Sequence, residues 1–340
     1  MKIFKTTVLT LALITGSLTF AQEETITEAA AVATEETTEE TSTFSVSGSV
    51  DTYYRSNRYA PGTSFANQPG FAIGMANVVM SYEGEKSGFV ADLVYGPRGA
   101  DAVFGSQGSS NIVNQLYAYY NVSDKFTLTL GNFNTFLGYE VISPVGNFNY
   151  STSYMFSNGP FSHTGLKADF AISDNVSLMA SLMNATDETD FAGTDVTYFG
   201  FQLGLYGQYI NILSGDGNFQ IDYTGGFDLS DSFYLGINAT SASGEGDAGF
   251  SGVALYPQLA LSESFSVGLR GEIFQVTADD ADDLDVNAFT ITGSYTNGNF
   301  TLKPEIRIDT ASEAIFSSVD VGEMDEDNVS SFVLAAIYSF

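Results

Sequence analysis

A chain of 340 residues with no cysteine, 41 acidic and 11 basic residues, and a formal charge of −30 cannot be a disulfide scaffold. That charge also argues against binding nucleic acid or anionic lipid through general electrostatics. No later segment stays apolar for about 18 residues, so no transmembrane helix is expected, and the length admits one large domain or two ordinary ones.

The first segment, residues 1–21, opens with Lys2 and Lys5, runs through the apolar stretch TTVLTLALITGSLTF and ends on Ala21. A charged head, a short apolar core and a small residue at the junction predict a secretory signal peptide. The apolar stretch is shorter than the ~20 residues of a membrane anchor. Loss of its two lysines takes the formal charge from −30 to −32. Residues 22–43, QEETITEAAAVATEETTEETST, are acidic and free of aromatics. Such a segment buries too little apolar surface to offset its chain entropy, so a disordered periplasmic tail is expected, with a partner-binding tail as the alternative.

From Phe44 onward the pattern alternates with period two. Phe44, Val46, Gly48, Val50 and Thr52 share one face; Ser45, Ser47, Ser49, Asp51 and Tyr53 share the other. FTLTLGNF (126–133) and FTLKPEIRID (300–309) repeat the device, apolar against polar or charged. No comparable helical period is found across 44–340. About sixteen strands are predicted, near 44–55, 71–82, 88–96, 113–122, 126–133, 163–172, 176–184, 196–206, 209–214, 218–229, 233–242, 252–262, 265–276, 286–296, 299–310 and 329–340. Fourteen would follow if the pair around Gly207 merged into a loop.

The connections add a second regularity. VSDKF (122–126), ISDNV (172–176), LSDSF (229–233) and LSESF (261–265) each end a strand on an aliphatic residue and turn on Ser with Asp or Glu. Such side chains hydrogen-bond nearby backbone and favour tight turns. TNGNF (296–300) turns on Asn-Gly, a strong hairpin signal. The other ends carry longer polar loops, such as SASGEGDAGFSG (241–252) and TADDADDLD (277–285). Short turns on one side and long loops on the other predict an all-β fold, a transmembrane antiparallel up-and-down β-barrel of the outer membrane.

The last strand, SFVLAAIYSF, ends on Phe340 with Tyr338, Ala336, Leu334 and Phe332 on its face. An exposed terminal aromatic suits a strand whose face meets lipid and whose end lies at the membrane interface. It also resembles the signal read by the barrel-insertion machinery. Tyr82, Phe89, Phe126, Phe233, Phe265 and Phe300, beside the short turns, would form the periplasmic girdle. A soluble β-sandwich or propeller would explain the alternation, but neither this terminus nor the loop asymmetry.

The register sends Arg55, Lys167, Arg270, Lys303 and Arg307 to the polar face, because a charge facing lipid costs ~2–4 kcal/mol at mid-membrane. Arg270, Lys303, Arg307 and Arg55 fall on strands 13, 15 and 1, which gather on one wall. Asp51, Glu272, Glu305 and Asp309 share it. This mixed ladder is expected either to pair across strands and hydrate the wall or to select solutes. A barrel of about sixteen strands holds an aqueous channel.

The segment NTFLGYEVISPVGNFNYSTSYMFSNGPFS (134–162) follows strand 5 and has one charged residue, Glu140, with seven aromatics. So apolar a loop is expected to avoid water. As the third long outward loop it would fold into the barrel and narrow the pore, with Tyr139 at its edge and Glu140 facing the basic wall. The alternative is that 148–162 extends strand 6 or packs under the barrel mouth.

The same region carries a family resemblance. Gly131, Phe133, Thr135, Gly138, Tyr139 and Glu140, followed by Pro160, Phe161, His163, Thr164 and Gly165, resemble the central segment of the OmpL-like β-barrel porins common in Bacteroidota. The resemblance implies an outer-membrane porin over 44–340 with no catalytic role at these positions.

The expected function is passive diffusion of small hydrophilic solutes or ions through a water-filled channel, with lipid as the surrounding partner and self-association left open. The alternative is an adhesin or structural barrel acting through acidic surface loops. No enzyme is expected. His163 is the sole histidine, its neighbour Ser162 points to the opposite face, and neither G-x-S-x-G nor H-E-x-x-H occurs. No cofactor or metal is expected either, because the acidic loops lack alternating D-x-D-x-D-G spacing.

Overall fold

Sixteen strands close into one antiparallel barrel in which each pairs with its sequence neighbours and the last pairs with the first. The computed structural model describes residues 42–189, 197–278, 282–318 and 322–340. The expected signal peptide and nearly all of the expected tail lie outside the described residues, as do parts of the acidic loops at 277–285 and 319–328.

The barrel strands are β1 (Thr43–Arg55), β2 (Gly70–Glu83), β3 (Ser87–Tyr95), β4 (Val113–Ser123), β5 (Phe126–Asn134) and β6 (Ser162–Ser173). They continue with β7 (Val176–Met183), β8 (Tyr198–Leu205), β9 (Gln208–Gly215), β10 (Asn218–Ser230) and β11 (Phe233–Ser243). The last five are β12 (Gly249–Ala260), β13 (Phe265–Thr277), β14 (Leu284–Asn297), β15 (Phe300–Ala311) and β16 (Asn328–Ser339). Gly207 lies in a two-residue hairpin turn, not in a loop. Tyr206 and Gly207 have φ of 53° and 76°, the left-handed pair that suits the twist of the flanking strands. The fourteen-strand reading is therefore set aside.

The Ser turns share one mechanism. Ser123, Ser173, Ser230 and Ser262 each accept, on Oγ, the backbone N–H two residues on, at 3.3–3.4 Å. The loop asymmetry is weaker than expected in two places. Strands β11 and β12 pair as far as Ser243 and Gly249, leaving only 244–248 between them, and β9–β10 is closed by Asp216-Gly217 alone. A short sheet of Tyr59–Ala60, Phe316–Ser318 and Met324–Glu326 ties the first outer loop to the last.

Alternation sorts the faces as the register predicts. Along β15, Phe300, Ile306 and Ile308 are exposed, while Lys303, Glu305, Arg307 and Asp309 are buried. Phe332, Leu334, Tyr338 and Phe340 are likewise exposed. Near the short turns, the rings of Phe126 and Phe170 stack at 4.4 Å and those of Tyr82 and Phe89 at 6.1 Å. The opposite face of β16 is also apolar. Val333, Ala335 and Ile337 are buried there in one cluster with Tyr53 and Tyr150.

Two short helices interrupt the loops, although the sequence shows no helical period: α1 (Pro97–Ala102) and α2 (Tyr154–Asn158). Ser153 caps α2 by accepting the Phe156 N–H at 3.0 Å. Because β6 starts only at Ser162, residues 148–161 do not extend that strand. Tyr154 and Met155 pack with Ala254, Tyr256, Phe274 and Phe316 in a buried cluster.

Candidate functional site

An irregular segment leaves most of its backbone donors and acceptors without regular partners, and burying them unpaired costs ~1–3 kcal/mol each. Between Thr135 and Phe161 the missing partners are side chains on the buried face of the barrel wall. Glu305 accepts the Tyr150 and Ser151 N–H groups at 2.8 and 3.1 Å. Glu272 accepts those of Tyr154 and Met155 at 2.9 and 2.8 Å. Lys303 Nζ donates to the carbonyls of Pro144 (3.1 Å) and Asn147. Arg307 Nη1 donates to the Thr152 carbonyl at 2.7 Å, and Arg270 Nη1 to that of Ser151.

Two ion pairs lie within this arrangement. Glu140 Oε1 is 2.7 Å from Arg270 Nη1, and its other oxygen accepts the Ser153 N–H at 2.7 Å. Arg307 Nε donates to Asp309 at 2.8 Å, along the strand and not across to a neighbour. Asp51 accepts the Met75 N–H at 2.9 Å on one oxygen and the Tyr150 hydroxyl on the other. Charge-assisted bonds of this kind are about twice as strong as neutral ones, which makes the wall an effective anchor. The ladder therefore pairs mainly with the segment in front of it, not across strands as one expectation had it.

Not every predicted residue joins this assembly. Arg55 donates to the carbonyls of Tyr59 and Asn67, so it holds the first outer loop. Lys167 is half-buried and stands apart, 3.3 Å from Asp169 and above the Phe133 ring. Tyr139 stacks on Tyr256 at 4.2 Å, with its hydroxyl 3.4 Å from that of Tyr234. His163 is fully buried, its Nε2 2.9 Å from Thr135 Oγ1 at the base of the segment.

Sequence reading missed three contributors. Arg98, on α1, donates to the Ile142 carbonyl at 2.9 Å and lies 4.3 Å over the Phe65 ring. Asp222 on β10 accepts the Gly138 N–H at 2.9 Å, along with the Asn211 and Asn238 amides. Gly138 and Tyr150 thus bond to β10 and β1, seven strands apart round the ring. The third contributor is a set of wall glycines that receive large side chains. A Cβ on Gly268 would meet Phe148 at 2.4 Å, one on Gly236 would meet Tyr139 at 2.3 Å, and one on Gly200 would meet Phe136 at 2.6 Å. Their even-register placement on inward positions was the available signal.

Outside the strands, Asp187 ties the other end of the segment. One oxygen accepts the Phe161 and Ser162 N–H groups at 2.6 and 3.0 Å. Burial pushes its carboxyl up to about 6, and these backbone donors only partly offset that. Among the described residues no group of three or more His, Cys, Asp or Glu side chains is arranged to hold a metal ion.

The sequence model of the family described as "Putative beta-barrel porin-2, OmpL-like" matches residues 43–340. No curated protein matches in sequence. Among solved structures, the outer membrane channel DcaP of Acinetobacter baumannii is similar at a TM-score of 0.60 and 14% identity, covering 88% of this chain and 97% of its own. The anion-selective porin of Comamonas acidovorans is similar at 0.58 and 10% identity, covering 88% and 100%. The trimer form of in-vitro folded OmpT of Vibrio cholerae is similar at 0.54 and 10% identity, covering 88% and 99%. At these identities the likeness is one of fold.

Proposed function

Because the chain belongs to the OmpL-like beta-barrel porin-2 family, we propose that it passes small hydrophilic solutes by passive diffusion through a channel narrowed by residues 134–162. It is an outer-membrane porin. Residues 135–161 fold inward as the third outer loop. The bonds from β13, β15 and β1 to their backbone support this reading, since irregular backbone at membrane depth is tolerated only inside protein or along a water-filled cavity. Lys303, three residues beyond the start of β15, holds the loop at Pro144 and Asn147, well below the barrel mouth.

In this reading Asp51, Glu272, Glu305, Asp309, Arg270, Lys303 and Arg307 act by seating the loop, with Glu140 and Tyr139 as its own contribution. Arg55 seats the first loop, and Lys167 lines the wall below. The channel performs no covalent chemistry. Residues 1–21 direct export and leave 22–43 as a periplasmic tail, which N-terminal sequencing of the membrane-bound protein would check. Phe340 and its strand serve recognition by the insertion machinery, and association into oligomers belongs to the same proposal.

Planar-bilayer recording of the refolded protein is the test. Discrete conductance steps are expected, and their absence overturns the porin reading. Deleting 140–156 should enlarge the steps; an unchanged conductance would show that this loop does not set the constriction.

A further inference from the structure

The charged side chains of the barrel interior are not spread evenly. Arg55, Arg98, Arg270, Lys303 and Arg307 are no more than 4% exposed, and so are Asp51, Glu272, Glu305 and Asp309, with Glu140 at 5%. These five cations and five carboxylates balance in number and are bound to the loops or to one another, while Asp92 on β3 is held by the Asn77, Asn114 and Gln115 amides. The ten present no net positive charge to the lumen.

The remaining wall is different. Between Lys167 and Arg270 the chain carries 13 acidic residues and no lysine or arginine. That interval contains β7 to β12 entire. A cleft and a small cavity lie against the same wall. A cleft of about 540 Å³ at the outer end is lined by Asp187, Glu245, Tyr198, Asn218 and Gln220, facing Pro160 of the loop. Below it a small cavity of about 10 Å³ shares Gln220 and Pro160 and adds Asp222, Asn238 and Leu137. That volume is on the scale of one water molecule. Asp222 receives three N–H donors there and, among the described residues, no cationic partner, so its negative charge is solvated by dipoles without being cancelled.

We propose that the permeation path runs between the loop and the β8–β12 wall, and that it favours cations, with Asp222 at its narrow point and Asp187 and Glu245 at its mouth. This rests on the porin reading above. Carboxylates along a narrow, low-dielectric passage raise the local cation concentration and repel anions. The balanced assembly on the opposite wall supplies no competing positive field.

The test is the zero-current potential of the refolded protein in a KCl gradient, once conductance steps have established a channel. Potassium should permeate over chloride, and the ratio should fall by roughly twofold or more in Asp222→Asn and in Glu245→Gln. It should also fall as KCl approaches 1 M, where the screening length shrinks to about 3 Å. Glu245 is exposed, so its substitution reports on selectivity even if Asp222→Asn fails to fold. A steady conductance with equal or anion-favouring permeability would overturn the cation path while leaving the porin intact. A cation preference unmoved by both substitutions would overturn the assignment of these residues.

Discussion

The two sides of the barrel solve opposite problems. From β13 round to β3 the wall carries most of the buried charges and is filled, because most of them meet a backbone group or an ion of the loops. Asp309 pairs with Arg307, and Asp92 is held by wall amides. From β8 to β12 the wall carries amides, hydroxyls, glycines and a single buried carboxylate, Asp222, and it borders a cleft at its outer end. Paired charges therefore mark the filled side in this protein. A buried charge demands partners, and the chain that provides them also closes the space in front of it.

The largest expected effect comes from breaking the buried pair on the filled side. Glu140→Ala or Arg270→Ala leaves its partner charged and unpaired and should lower unfolding stability by about 3–5 kcal/mol, read from urea denaturation of the refolded barrel. A loss equal to that of an exposed surface pair would show that the loop is not seated by this contact. The same variants should raise conductance as the loop loosens.

A smaller effect is expected where the wall gives way to an aromatic ring. Gly268→Leu would place side chain where Phe148 lies. Overpacking of this kind costs about 1–3 kcal/mol and should lift the loop. Adding Phe148→Ala should recover part of the loss, a coupling that two independent sites would not show.

The smallest concerns the acidity of Asp187, on the open side. Its carboxyl is pushed up to about 6 by burial, above the ordinary value of about 3.9. The folded state thus holds the proton more tightly, so this group's contribution is fully present below pH ~4 and is lost as pH rises through about 6. Beyond the intrinsic pH effect, exchange of the Phe161 and Ser162 amides should quicken over that window. Asp187→Asn should remove the pH dependence; if it persists, another group is responsible.

Much of this was legible from residue order. Sixteen strands, their faces and the Ser-based turns depend on neighbours two or three positions away, and period-two alternation reports such short-range geometry directly. The polar face of FTLKPEIRID is inward because charge cannot face lipid. What the charges do there was not legible. Glu305 and Tyr150 are 155 positions apart, and Arg270 and Glu140 are 130 apart. Arg98 gave no sign of its role, since its partners Ile142 and Phe65 come together only when α1 sits beside the closed barrel. The glycines at 200, 236 and 268 sit at inward positions, but which rings they receive depends on where the loop lies.

By itself the sequence determined an antiparallel barrel of about sixteen strands and an apolar third loop that could not remain in water. Tertiary structure alone decided which side chains hold that loop, the charged groups of β13, β15 and β1 together with Asp222 of β10. Strand order is set by local pattern and turn chemistry, whereas the seat of a loop depends on side chains brought together only after the ring has closed.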